Sequence, residues 1–184
     1  VAECTFKDSE RCVMAMELVQ VTLEDREILM NLLEKYLYEF SQYEETEVNG
    51  LGLYGYEYLD YYFVEKNRWA YFMKVEGKLC GFAMVITLPE VEDRETDFQM
   101  AEFFVLHKYR GQGIGFLAFQ KVLALHPGRW QLKQHPKNLG STVFWKKSID
   151  KVTTGKYELV KAYPGTAYED GTLGDVYFFS VPRA

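Results

Sequence analysis

Cysteine, proline and histidine are all scarce in this sequence, with 3, 5 and 3 residues respectively. Cys4, Cys12 and Cys80 are an odd, sparse set, which excludes a disulfide framework and favours a reducing, cytoplasmic setting. With His107, His126 and His135 they form no metal-ligand spacing, so no metal site is expected. The few prolines form no linker, so no internal domain boundary is expected. No apolar run approaches the roughly 18 residues of a membrane helix, and the first residues contain no apolar signal core. A Gly-x-Ser-x-Gly nucleophile elbow and a Walker Gly-x4-Gly-Lys-Ser/Thr string are both missing.

What remains is an ordinary globular composition, 48% hydrophobic and 26% charged over 184 residues. That length suits one domain. Regular patterning begins near Met16, so residues 1–15 read as an N-terminal extension and 16–184 as a single domain. The net charge of −6 conceals two opposed regions. Residues 106–151 hold nine Lys/Arg and one acid, Asp150, for a local charge of +8, and the remainder carries −14. A compact basic block in an acidic protein points to an anionic ligand met locally rather than to a nucleic-acid surface, although clustering on a solvated face gives the same arithmetic.

Hydrophobic periodicity predicts alternating elements. Glu17–Val21 reads as a strand, with Thr22 and Asp25 capping the helix that follows. That helix buries Ile28, Leu29, Leu32, Leu33, Tyr36, Leu37 and Phe40, and residues 41–53 form a loop. The aromatic stretch Tyr54–Phe63 includes a short helix. Trp69–Val75 and Leu79–Thr87 form a hairpin around Glu76-Gly77-Lys78. Asp97–Leu106, apolar almost throughout, reads as a central strand. A helix over Gly115–Leu125, a strand over Arg129–Gln134, a helix over Asn138–Ile149 capped by Asn138, and strands at about 152–162 and 174–182 complete an α/β chain with one mixed sheet.

The informative string is Phe103-Phe104-Val105-Leu106-His107-Lys108-Tyr109-Arg110-Gly111-Gln112-Gly113-Ile114-Gly115. A strand ends, a glycine-rich turn follows, and a helix begins. Glycines at alternate positions permit positive φ and close backbone approach. Successive N–H groups and the helix dipole then make a seat for phosphate or pyrophosphate, with Arg110 at its lip. The Gly-x-Gly-x-x-Gly dinucleotide fingerprint fails, because Phe116 stands where the third glycine is required.

Arg110-x-x-Gly113-x-Gly115 after a strand resembles the Arg/Gln-x-x-Gly-x-Gly/Ala signature of the GNAT acyltransferase superfamily. Asn138-x-x-Ser141-x-x-Phe144-Trp145 is similar to that family's helix after the fifth strand. The element order also matches, from about Met16 to Val181. The resemblance implies a GNAT fold: a mixed sheet of six or seven strands flanked by about four helices. It implies acetyl-CoA as cosubstrate and direct acetyl transfer to a primary amine of a small molecule or peptide, by a monomer or homodimer. By the same resemblance, Gly111, Gln112, Gly113, Ile114 and Gly115 hold the pyrophosphate through backbone N–H groups, with Arg110 opening the loop. Phe104 and Val105 pair with the pantetheine arm, and the Val105 N–H polarises the thioester. Asn138 contacts pantetheine, caps its helix, or does both.

The chemistry adds a requirement. An alkylammonium with pKa near 10.4 is neutral only about one part in a few thousand at pH 7, so a base is useful. Glu102, an acid in an apolar run three residues before Val105, is the candidate; the alternative is a structural ion pair at a strand edge. Trp145 stands where GNAT enzymes often carry a Tyr general acid, and indole N–H is a donor only. That departure leaves open a non-catalytic acyl-CoA-binding module. Tyr54, Tyr56, Tyr58, Tyr61, Tyr62 and Phe63 lie where the family shapes its acceptor site, and either box a cationic amine or pack under the sheet. The acids at 44–47 and 90–97 either attract a cationic acceptor or form solvated loops.

Overall fold

A computed structural model describes residues 16–182. The proposed extension, with Cys4 and Cys12, lies outside the described residues. Seven strands form one sheet in the order β1-β2-β3-β4-β5-β7-β6. They are β1 (Met16–Gln20), β2 (Arg68–Val75), β3 (Lys78–Ile86), β4 (Phe98–Val105), β5 (Gly128–Gln134), β6 (Tyr157–Val160) and β7 (Asp175–Val181). The helices are α1 (Arg26–Glu44), α2 (Tyr61–Val64), α3 (Ile114–Leu125) and α4 (Leu139–Thr153). Every strand pair is antiparallel except β4–β5, the one parallel junction. The sheet is therefore mixed, as the sequence predicts.

Strand alternation divides the core into two layers. On β2, Tyr71, Met73 and Val75 face a cluster completed by Phe119 and Val122 of α3 and Trp145 and Ile149 of α4. Ala70 and Phe72 face the opposite way, onto Leu29, Leu32 and Leu33 of α1 and onto Leu59 and Tyr62 around α2. Asp25 starts the first helical segment by accepting from the Thr22 N–H at 3.1 Å and its hydroxyl at 3.0 Å.

Three boundaries differ from the sequence reading. Helix α1 runs on to Glu44 and stops at Glu45 in left-handed conformation, so residues 41–44 are helical rather than loop. Ile28 is exposed, and the buried stripe of α1 starts at Leu29. Helix α4 extends to Thr153 and delays β6 to Tyr157. Apolar Val152 packs on the α3–α4 core as a helical residue, and a period of 3.6 cannot be told from a period of 2 on so short a run.

The junction of β4 with β5 sets the site. Their pairing covers only Phe98↔Trp130 and Gln99↔Gln131. Beyond it the strands part, and the C-terminal half of β4 shows its unpaired edge to a split. A bulge accompanies the parting. Glu102 pairs with Met84 and Met100 with Val85, which leaves Ala101 between them without a partner. Met100 therefore faces the α3–α4 layer while Ala101 turns to the α1 layer. Glu102 falls on the α1 side with it.

Candidate functional site

Glu102 lies recessed beneath α1 and the 50–60 loop. The Tyr56 hydroxyl donates to Glu102 Oε1 at 3.0 Å, and the Tyr36 hydroxyl lies close enough to the same carboxylate to favour its charged form. Burial pushes the Glu102 carboxyl up to about 7, against the opposing pull of the two tyrosine hydroxyls. Both phenols are driven above their ordinary range by the same burial and by the neighbouring carboxylate, so they remain protonated donors. The backbone just before Tyr56 is held by α1: Glu34 accepts from the Tyr54 N–H at 3.0 Å and the Gly55 N–H at 2.8 Å. No ion pair to Lys or Arg involves Glu102 among the described residues, so the alternative of a structural ion pair does not describe it.

Along β4 the backbone alternates. Leu106 N–H donates to Cys80 of β3 at 2.8 Å, so its neighbour Val105 turns N–H and C=O away from β3, into the split. Phe104 turns back, its carbonyl so close to Gly81 that a Cβ there would stand 2.0 Å from it. Phe103 and Val105 thus offer backbone to the split, whereas Phe104 contributes its ring to the α1 layer.

The glycine turn follows directly. Gly111 and Gly113 adopt φ of 72° and 82°, which favours glycine, and no atom lies within 4 Å of where either Cβ would stand. Gly113 is the N-cap of α3, so the first-turn N–H groups of Ile114 and Gly115 have no partner within the helix. Ile114 itself is core, and Gln112 braces the turn through Nε2 on the Lys108 carbonyl at 2.6 Å. Gly115 serves packing: a Cβ there would meet the Phe144 ring at 3.2 Å. Across the split, Gln134 ends β5 buried, with Oε1 lacking a protein partner among the described residues. Asn138 caps α4, its Oδ1 accepting from Ser141 N–H at 3.0 Å.

Arg110 is committed within the protein. Its Nε donates to the Val105 carbonyl at 2.7 Å, and its two Nη atoms grip the Glu39 carboxylate of α1 at 2.6 and 2.7 Å. The basic block is partly neutralised in the same way. Arg129 pairs with Glu95 and Asp97, Lys133 with Glu90, and Lys137 with Asp170. The acidic 88–97 loop therefore engages β5 cations instead of standing free. Lys108, Lys121, Lys146, Lys147 and Lys151 make no ion pair among the described residues, and they flank the turn, α3 and α4.

The far rim was not legible from motifs. His135 is buried at the end of β5, with its ring 4.5 Å from that of Tyr168 and near those of Phe40 and Tyr43. His135 Nδ1 accepts from Lys137 N–H at 3.2 Å, leaving Nε2 to face Asp170 at 3.4 Å. Lys137 and Thr172 hold that carboxylate far below the ordinary range. Glu44, half-buried, is pushed up by burial and by Glu169. Of the tyrosine block, Tyr56 reaches Glu102, while Tyr61 and Tyr62 carry Arg68 at 5.3 and 5.6 Å from their ring centres. Trp145 is only 6% exposed, wedged against Phe103, Phe119 and Phe144. Two shallow depressions elsewhere, around Asp93–Gly165 and around Arg129–Tyr157, include neither Glu102 nor the glycine turn. Among the described residues no group of three or more His, Cys, Asp or Glu is placed to hold a metal ion, and no helix is long and apolar enough to cross a membrane.

The site is thus a split mixed sheet with a glycine turn after the parting strand and a recessed carboxylate beside it. Residues 27–149 match the model of the acetyltransferase (GNAT) family, and the chain belongs to that family. Solved structures agree on the fold. An acetyltransferase from Thermus thermophilus superposes with a TM-score of 0.63 at 17% identity, over 92% of this chain and 99% of that one. The spermidine N-acetyltransferase of Vibrio cholerae, in complex with CoA and spermine, gives 0.61 at 12% identity, over 90% and 95%. The PaiA N-acetyltransferase of Thermoplasma acidophilum, in complex with coenzyme A, gives 0.56 at 13%, over 91% and 99%. No curated protein sequence matches the chain.

Proposed function

We propose that this chain is an acetyl-CoA-dependent N-acetyltransferase that passes the acetyl group directly to a primary amine of a small molecule or peptide. The observation that carries the reading is the placement of Glu102, brought by the Ala101 bulge to the α1 side of the split, three residues before the split-facing N–H of Val105. The protein's own groups fit coenzyme A. Open space over Gly111 and Gly113 beside α3 suits a pyrophosphate, and the unpaired β4 edge and the spare Gln134 acceptor suit the amides of a pantetheine arm. When bound, acetyl-CoA supplies an activated acyl carbon with a thiolate leaving group.

The chain's residues do the rest. Glu102, with its pKa near 7, takes the proton of an incoming ammonium, directly or through a water. Tyr36 and Tyr56 orient its carboxylate. The Val105 N–H donates to the oxygen on which negative charge develops. Trp145 cannot donate a proton to the departing sulfur, and a thiolate with an ordinary pKa near 8.5 leaves at neutral pH with little help. The half-buried acids and the tyrosine rings on the α1 side favour a cationic acceptor. The Vibrio cholerae relative, with spermine bound, is a precedent for one.

The buried Trp145 also favours a second reading, a module of this fold that binds acyl-CoA without transfer. Thiol release from acetyl-CoA across a panel of primary amines separates the two. Amine-dependent release is expected. Tight acetyl-CoA binding with no amine-stimulated release would establish the binding module instead.

A further inference from the structure

We propose that Glu39 is a positioning residue for the cofactor turn: through Arg110 it fixes the Val105–Leu106 peptide, so that helix α1 sets the affinity for the cofactor. The inference rests on the acetyl-CoA reading above. Its starting point is that the 105–106 peptide is held at both ends. Its N–H donates to Cys80 of β3 at 2.8 Å, and its carbonyl accepts from Arg110 Nε at 2.7 Å. The plane so pinned ends β4 and aims the chain into the glycine turn. It also leaves Val105 turning its N–H to the split beside a carbonyl that Arg110 already engages.

Arg110 reaches the carbonyl by folding back over the Phe104 ring, with its guanidinium carbon 5.5 Å from the ring centre. That pose needs an anchor. Glu39 provides one by taking both Nη atoms in a fork-to-fork pair, with His107 Nε2 3.4 Å away on the same carboxylate. The Glu39 carboxyl is held below its ordinary range by this pair, so it stays ionised at neutral pH. The same pair neutralises the guanidinium. Arg110 therefore contributes geometry to the seat rather than free positive charge, which the N–H groups, the α3 dipole and the unpaired lysines supply. Glu39 lies one turn beyond Tyr36, whose hydroxyl influences the Glu102 carboxylate. One helix thus holds both the base and the cofactor turn.

The two roles open to Arg110 predict opposite signs. If it acts through position, removing Glu39 weakens cofactor binding; if it is itself a phosphate ligand, removing Glu39 frees its charge and tightens binding. The experiment titrates CoA calorimetrically into the full chain and into Glu39→Gln, Arg110→Lys, Arg110→Ala and the double variant Glu39→Ala/Arg110→Ala, with melting curves for each. Glu39→Gln and Arg110→Lys are expected to raise Kd for CoA by about threefold to tenfold, and the double variant to be no worse than Arg110→Ala alone. KM for acetyl-CoA should rise in Glu39→Gln while kcat at saturation stays within about twofold. Wild-type or tighter CoA affinity in a folded Glu39→Gln overturns the proposal while leaving the acetyl-CoA reading intact. Failure of the unaltered chain to bind CoA overturns both.

Discussion

At the scale of single residues, the proposed chemistry turns on an acid recessed beneath α1. In the proposed mechanism burial is what suits Glu102 to the task, because the cost of ionising it raises its carboxyl to about 7. A base works in its ionised form, so the rate should climb as pH rises through about 7 and fall away below it. Glu102→Gln should remove that limb and lower kcat by roughly 10² to 10³ at pH 7.5, and a variant keeping the wild-type profile would exclude Glu102. Stability should move the other way. The folded carboxyl titrates near 7 against an ordinary value of 4.5, so its contribution is fully present below about 4.5 and is lost as pH rises through 7. Melting curves should therefore show Glu102→Gln stabilised relative to wild type at pH 8, and not at pH 4.

At the scale of elements, two glycines of one motif have different tasks. Gly113 has a positive φ and empty space around its Cβ direction, whereas Gly115 has an ordinary φ and the Phe144 ring at 3.2 Å. Gly113→Val should therefore cost about 1–2 kcal/mol in backbone strain and fill the anion seat, abolishing CoA-induced thermal stabilisation in a protein that still folds. Gly115→Val should push α4 from α3 and lower the melting temperature more than Gly113→Val does, with the loss visible without any ligand. Equal melting temperatures for the two would mean that the tight α3–α4 contact is not what Gly115 provides. Both glycines stand out in the sequence, because spacing and a following helix are local signals. Their division of labour is not, because Phe144 is 29 positions away from Gly115. The same limit applied to α1, whose stripe of apolar residues concealed three polar functions: Glu34 on the 54–55 backbone, Tyr36 on Glu102 and Glu39 on Arg110. A tyrosine in a leucine stripe is the one hint the sequence carries, since its hydroxyl must find a partner when buried.

At the scale of the whole molecule, charge is sorted by ion pairing as well as by position along the chain. Four of the nine cations of the basic block, Arg110, Arg129, Lys133 and Lys137, bind acids from outside that block. The remaining lysines are exposed around the turn, α3 and α4, where an anionic cofactor would meet them through solvent. CoA affinity should accordingly fall several-fold between about 0.05 M and about 0.5 M salt, because exposed charges are screened over a few ångströms at the higher value. Salt-independent affinity would place the binding energy in the buried backbone donors alone.

Local information determined a good deal. Periodicity placed most strands and helices to within a few residues, the ends of α1 and α4 and the start of β6 excepted, and the glycine spacing marked the turn and, through family resemblance, the fold. Those features survive translation from sequence because each is a short-range pattern: a side-chain period, a cap, a positive φ. The rest needed the tertiary structure. Where β4 parts from β5, which way the Ala101 bulge turns Glu102, and what holds Arg110 are settled by contacts between segments up to 71 residues apart. Such contacts leave no periodic trace, because they depend on how whole layers pack rather than on what stands next in the chain.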